Sequence, residues 1–494
     1  MLLGLDGATL DLLLPWAQQG LLPHLASLLE RGACGPLRST IPPITPCAWT
    51  TMMTGTNPGR HGVFDFILPK TGTYGRRITT AADRKRQPVW LLANQRGLTC
   101  GVVNVPTTYP PDDIQGYMLS GMMGAPAYKP DVVRPESLFA ELQEAVGGFP
   151  MDPVSKTSHG YSLAALDAQT ANREAAFTYL LQTHPTDVFI GVVNYVDHIE
   201  HFFFGDPALD SEGRHVDDML LYAYQAADRL LGALLEHCGP ETHVLVTSDH
   251  GAGPLQAYLN MDRLLVDCGL LRFKSRQAES GEGGLLRKLA HCTPDWLRAR
   301  LPKSLRRRGM EIMRREYEGE VDWQQTKVFR RSTSFGLDLN LQGREPEGTI
   351  APDQYEAARD DVIATLLQAL EQYPQVGPVR FYKREELYTG EQVPLAPDII
   401  VAPAEYAVEI TASPHPDASV ALSLEDMTRL NAPKRYKIGS HRMDGVFIAA
   451  GPSVTPGATL HDAQLADVTP TLLKLAGVDV PEGLDGRVLE EIFR

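Results

Sequence analysis

The sequence predicts an α/β fold: a doubly wound, mostly parallel sheet flanked by helices, with a cap region inserted into it. Three observations lead there. Short apolar runs alternate with helical patterns along the 494 residues. Acids and histidines recur at the ends of the predicted strands, where open α/β sheets place their ligands. The composition also shifts between about Gly251 and Gly348, as it does where a segment is inserted into a larger unit.

In chain order the strands expected are Leu2–Leu5, Leu98–Val105, Val188–Val193, His243–Thr247, Pro397–Val401 and Gly445–Ala450, each a short apolar run. The helices expected include Pro23–Arg31, Ala171–Thr183, Asp217–His237, Pro352–Gln372 and Val468–Leu475. The third of these carries Leu220, Ala223, Ala227, Leu230, Leu231 and Leu234 on one face, the pattern of a helix docked on a core. The core is expected over residues 1–254 and 350–494, with the cap at 255–349. The cap opens with GAGPLQAY and contains ESGEGG at Glu279–Gly284. Between residues 286 and 315 it has ten Lys/Arg against two acids. Such a run suits either a solvated helical face or contact with an anionic partner, lipid surface or substrate.

The whole chain is acidic, with 46 Lys plus Arg against 61 Asp plus Glu and a net charge of -15. That balance argues against nucleic-acid binding through bulk charge, but leaves small phosphorylated substrates open, because a buried metal neutralises them locally. Hydrophobic residues are 43% and charged residues 22%, as in a soluble globular protein rather than a disordered one. No apolar run approaches the roughly 18 residues that span a bilayer. The N-terminus has no basic start and carries Asp6 and Asp11, unlike a signal peptide. Six cysteines without CxxC spacing (Cys34, Cys47, Cys100, Cys238, Cys268, Cys292) fit reduced thiols. The expected location is the cytoplasm.

The strand ends supply the chemistry. Asp6 ends LLGLDG, Asp197 and His201 follow DVFIGVV, Asp249 and His250 end HVLVTSDHG, and His441 precedes GVFIAAG. Asp197 and His201 are spaced i and i+4, so a helical turn presents them on one face. Carboxylate oxygen together with imidazole suits zinc, and manganese less well. In TIPPITPCAWTTMMTGTNPGRHG, Pro46 suits the first position of a helix, Thr45 its N-cap, and Gly55 its stop. A hydroxyl there faces the positive end of the helix dipole, where anions bind. Trp49 reads as a core aromatic or a stacking surface, and Asp228 as a surface or helix-partner residue.

The order Asp6, Thr45 in TPCAWTTMMTG, Asp197/His201, Asp249/His250 and His441 resembles the alkaline phosphatase superfamily, and within it the type I phosphodiesterase/nucleotide pyrophosphatase family. The resemblance runs from LLGLDG to DVTPTLLKLAGVDVPEGLDGRVL and implies an alkaline-phosphatase-like core. It further implies two zinc-like ions (manganese possible in their place) about 4 Å apart. Asp197, His201 and His441 would hold one ion. Asp6, Asp249, His250 and the Thr45 oxygen would hold the other, with Thr45 as nucleophile and a phosphothreonine intermediate. The implied activity is cleavage of a phosphodiester or phosphoanhydride in a nucleotide or other small phosphoester. A phosphomonoesterase, a phosphonate hydrolase and a non-catalytic metal-containing module are the alternatives.

The sequence departs from this pattern in one place. Members of the nucleotide pyrophosphatase type use an Asn just past a His-Gly pair to contact phosphate, and HGVFDF here offers Asp65 and Phe66. Asn104, Asn194 and Arg344 are the candidate substitutes for substrate binding, although Asn104 also suits a turn and Arg344 a salt bridge. A sulfatase is disfavoured because Cys47-Ala48-Trp49-Thr50-Thr51 lacks the x-P-x-R that follows its nucleophile. A cofactor-independent phosphoglycerate mutase fits less well, since its nucleophile is Ser and its large insertion follows that Ser.

Overall fold

The computed structural model describes residues 1–121, 128–150, 163–204, 219–274, 321–331, 335–411, 419–431 and 437–494, with short strands at 156–157, 160–161, 208–209 and 215–216. Its centre is an eight-stranded sheet of β1 (Leu2–Leu5), β2 (Gly32–Arg38), β3 (Cys100–Val103), β4 (Gly116–Leu119), β5 (Val133–Arg134), β6 (Val188–Val193), β7 (Val244–Thr247) and β8 (Asp444–Ala450). The spatial order is β2-β8-β7-β1-β6-β3-β4-β5. Neighbours from β7 to β4 pair in parallel, whereas β8, β2 and β5 pair antiparallel, so the sheet is mixed at its edges. Helices cover both faces, one apolar cluster lying on each. Strands buried on both sides need no polar alternation, which is why β1, β6 and β7 read as continuous apolar runs.

Three helices position the residues singled out above: α1 (Thr45–Thr54), α2 (Tyr195–Phe203) and α3 (Met219–Leu235). Gly55 ends α1 in the left-handed conformation expected of it, its N–H donating to Thr51 O at 2.9 Å. Asp228, in α3, is buried and accepts the N–H groups of His24 and Leu25, so it caps the Pro23–Arg31 helix. Five of the cysteines are free thiols, and Cys292 lies outside the described residues.

A third apolar cluster runs from Ala257 to Val420. It lies under a four-stranded antiparallel sheet (Val328–Arg330, Gly336–Leu339, Ile399–Pro403, Val379–Lys383), a three-stranded sheet (Val408–Thr411, Ala257–Asn260, Ala421–Ser423) and the Tyr355–Leu370 helix. Apolar packing therefore does not change at residue 350. The strand expected at Pro397–Val401 appears as Ile399–Pro403 and belongs to this second sheet, not the central one. The reason is that Ile399 and Val401 share the cluster with Leu337, Leu339 and Leu366, all from the second unit. A hairpin of the core, Ile67–Pro69 with Arg76–Ile78, reaches over to it: the Tyr74 ring stacks on Trp323 with centroids 3.5 Å apart. The basic run at 286–315 and the ESGEGG loop lie outside the described residues.

His61 braces the far half of α1. Val63 N–H donates to its Nδ1 at 3.1 Å, so Nε2 carries the proton and donates to Thr51 Oγ1 at 2.9 Å. Burial, followed by the nearby Arg84, pushes this ring down to about 3. The unfolded chain takes up the proton near pH 6.5, so stability present at neutral pH is lost as pH falls from there toward 3. We expect the unfolding free energy of the wild type to fall more steeply than that of His61→Gln between pH 6 and 4, by about 1.4 kcal/mol per pH unit. Denaturant titrations at several pH values check this, and parallel profiles would contradict it.

Candidate metal centre

Backbone pairing brings the expected residues together. Asp6 directly follows β1, whose Leu5 pairs with Val193 of β6, and Asp6 N–H donates to Val193 O at 3.0 Å. Asp197 N–H in turn donates to Asp6 O at 3.1 Å, fixing the first turn of α2 beside the end of β1. On the other side β7 delivers Asp249 and His250, and Asp249 Oδ1 accepts Gly7 N–H at 3.3 Å. His441 arrives on the Gly439–Arg442 strand, which pairs with Gly251–Pro254 so that His441 faces Ala252.

Six of these seven residues interlock by side chain. His201 Nε2 and His441 Nε2 lie 3.5 and 3.3 Å from Asp197 Oδ1 and 3.3 Å from each other. His250 Nε2 lies 3.3 Å from Asp249 Oδ2 and 3.7 Å from Asp6 Oδ1. The His250 and His441 rings stack with centroids 3.7 Å apart. Among the described residues, two triads have their donor atoms within 4.8 Å of one another: Asp197, His201, His441, and Asp6, Asp197, His250. The first is the set expected; in the second Asp197 stands beside Asp6 and His250, with Asp249 against His250.

The tautomers follow from geometry. His201 Nδ1 lies 3.1 Å from Gly439 O, His441 Nδ1 2.6 Å from Pro43 O, and His250 Nδ1 3.1 Å from Gly251 O. A carbonyl only accepts, so each Nδ1 carries the hydrogen and each Nε2 faces inward. Burial holds His201 down at about 3 and His250 well below the usual imidazole range. Burial also pushes Asp6 and Asp249 well above the usual carboxylate range, with Asp249 and Asp197 adding to the effect on Asp6, and Asp197 to that on Asp249. Asp6 Oδ1 and Asp249 Oδ2 are buried without a hydrogen-bond partner among the described residues. Inward Nε2 atoms facing orphaned carboxylate oxygens fit divalent cations of the nitrogen- and oxygen-liking kind, and backbone carbonyls on the outer nitrogens are the usual support for histidine ligands.

Thr45 reaches the same space, its Oγ1 3.5 Å from His250 Nε2. Thr45 is the first residue of α1, not the N-cap: Ile44 takes that place at φ -117 and has no side-chain cap bond. With Pro46 following, the chain enters the helix one residue earlier than expected, and the Thr45 hydroxyl turns toward His250 instead of capping. Trp49, four residues on, is fully buried and donates its indole N–H to Asp6 Oδ2 at 3.3 Å. A Cβ on Gly4 would come within 2.3 Å of its Cη2, so β1 needs glycine at that position.

The candidate substrate-binding residues fare differently. Asn104 is buried and donates its amide to Val192 O at 2.8 Å, which removes it as a phosphate donor. Arg344 lies in the second unit with its guanidinium on Asp398, Glu345 and Leu339 O. Both are structural because each answers a buried partner that would otherwise be unsatisfied. Asn194 directly follows β6 as the N-cap position of α2, where its carbonyl accepts His198 N–H at 3.3 Å. Asp65 is buried and accepts Phe66 N–H. Glu200 was missed from sequence. It is buried one residue before His201, accepts the Tyr224 hydroxyl at 2.8 Å on Oε1, and is pushed well above the usual range by burial.

The fold and this cluster define a metal-dependent phosphoric ester hydrolase of the alkaline phosphatase superfamily. The chain belongs to the type I phosphodiesterase/nucleotide pyrophosphatase family, which it matches over residues 1–444, a span holding all seven residues. No curated protein matches it in sequence. Human ectonucleotide pyrophosphatase/phosphodiesterase 5 is similar in structure, with a TM-score of 0.52 at 14% identity over 98% of this chain and 96% of that one. Phosphonoacetate hydrolase from Sinorhizobium meliloti 1021, solved with phosphonoformate, gives 0.55 at 15% identity over 96% and 95%. An inactive form of the murine phosphodiesterase 5, solved with AMP, gives 0.52 at 12% identity over 98% and 96%.

Trp49→Phe keeps the ring but removes the N–H that holds Asp6. We expect it to bind zinc about 10-fold more weakly than the wild type, as loss of a supporting hydrogen bond does. Competition against a chelating dye measures this, and equal affinities would contradict the role given to Trp49.

Proposed function

We propose that the protein hydrolyses a phosphodiester or phosphoanhydride bond of a nucleotide or other small phosphoester through a phosphothreonine on Thr45, with two divalent cations, zinc in the first place. The observation that carries this reading is the set of three imidazoles locked by their Nδ1 hydrogens, with Nε2 atoms and unpartnered carboxylate oxygens converging beside the Thr45 hydroxyl. Asp197, His201 and His441 would hold one cation. Asp6, Asp249 and His250 would hold the other, with Asp197 near both. Bound there, the cations would lower the pKa of a nearby hydroxyl or water and neutralise the phosphate oxygens.

The chain's own groups account for the remaining chemistry. Thr45 stands at the positive end of α1, where the first-turn amides of Thr45 and Cys47 have no intrahelical acceptor and Pro46 has none to offer. A phosphate seated on these amides would present its phosphorus to Oγ1. Attack by Oγ1 forms the Thr45 Oγ–P bond, the bond to the leaving alcohol or phosphate breaks on the opposite side, and the hydroxyl proton passes through solvent to the departing oxygen. Water then attacks the phosphothreonine, the Oγ–P bond breaks, and Thr45 recovers its hydroxyl. Burial of Asp6, Asp249 and His250 excludes bulk water around these steps and strengthens the field at the phosphorus.

The absence of an Asn past His61-Gly62 and the Asp65 found there favour a second reading, in which the preferred substrate is a phosphonate or phosphomonoester. Comparing bis-p-nitrophenyl phosphate with p-nitrophenyl phosphate on zinc- and manganese-loaded protein decides between them. The expected result is faster diester turnover, reduced on the order of 1000-fold or more in Thr45→Ala. Faster monoester turnover would favour the second reading. Activity that survives in Thr45→Ala would contradict the phosphothreonine.

A further inference from the structure

We propose that Glu200 is a positioning residue that sets the spacing of the metal-binding carboxylates, an inference that rests on the two-cation reading above. Its carboxyl is buried and does not join either triad. Oε1 accepts the Tyr224 hydroxyl at 2.8 Å, and that same hydroxyl oxygen accepts Thr9 N–H at 2.8 Å. The chain Thr9–Tyr224–Glu200 therefore ties the loop after β1 to α3 and to α2. Oε2 has no hydrogen-bond partner and lies against Gly7, where an added Cβ would stand 2.7 Å from it and 2.9 Å from Asp197 Cβ. Gly7, at φ +81, is the residue whose N–H holds Asp249. On the other side the Glu200 carbonyl oxygen sits 2.2 Å from where a Gly439 Cβ would be, and Gly439 O accepts from His201 Nδ1.

Glu200 thus touches the three segments that bring in Asp6, Asp197 with His201, and His441. The segments approach so closely that glycine is required opposite it at both Gly7 and Gly439. A shift of Glu200 would move Gly7 and with it the hydrogen bond to Asp249. Supporting groups of this kind control metal affinity through ligand placement.

The test uses the full chain and three variants: Glu200→Gln, Tyr224→Phe, and the double variant. Zinc affinity is read by dye competition, folding by the melting temperature of metal-free protein, and turnover with bis-p-nitrophenyl phosphate at rising free zinc. Each single variant should remain folded and bind zinc about 10- to 100-fold more weakly, with turnover recovering as zinc is raised. Tyr224→Phe leaves the acidic groups in place, so its loss reports placement and not charge. Because the two residues act as one chain, the double variant should bind no more than about twofold more weakly than the weaker single. Wild-type affinity in Tyr224→Phe, losses that multiply in the double variant, or turnover that stays low at saturating zinc would each overturn the role of Glu200. A wild-type chain that binds no divalent cation overturns the two-cation reading and this inference with it. A wild type that binds two, with variants that bind as tightly, overturns only the inference.

Discussion

The structure turns on a problem of like meeting like. Three imidazole Nε2 atoms and the carboxylates of three aspartates face one another in a largely buried volume. Left alone, such a cluster disfavours folding, because burial pushes Asp6 and Asp249 toward protonation. The chain nevertheless commits every Nδ1 hydrogen to a backbone carbonyl of Gly439, Pro43 or Gly251, so no ring can turn to relieve the contact. A fold that keeps this arrangement rigid is built to receive cations, with the hydroxyl of Thr45 beside them.

The sheet supplies the rigidity. β1 lies between β6 and β7, so Asp6, Asp249 and the first turn of α2 that carries Asp197 lie at the same end of three adjacent parallel strands. The antiparallel β8 then returns the chain next to β7, with His441 just ahead of it. The second unit belongs to the same design at lower precision. Its apolar cluster is closed independently, yet the Tyr74 hairpin stacks on Trp323, and the Tyr388 hydroxyl donates to Ile41 O close to α1.

Much of this is legible in the sequence because it is local. Strands buried on both faces announce themselves as apolar runs, and a residue just past such a run stands at a sheet end whatever the tertiary detail. Hence the six acids and histidines that converge can be picked out, and the i, i+4 geometry of Asp197 and His201 holds at 3.5 Å. What is not legible depends on distant partners. β2, GACGPLR, has glycines and a proline where a strand usually has branched residues, and it forms because seven of its residues pair with β8. Glu200 in VDHIEH looks like a solvated helical acid; only Tyr224 and Gly7 make it an interior one. Arg344 and Asn104 carry suitable donors, but buried acceptors elsewhere claim them. The second unit reaches past the expected boundary at residue 350, because its helix and strands beyond that point have the same periodicity as those of the core.

Diffraction from a zinc-loaded crystal, recorded on both sides of the zinc absorption edge, tests the two-cation cluster most directly. Two anomalous peaks per chain are expected: one about 2 Å from the Nε2 atoms of His201 and His441, the other about 2 Å from Nε2 of His250 with Asp6 and Asp249 around it. A single peak, or peaks that leave His250 or the His201 and His441 pair uncoordinated, would contradict it.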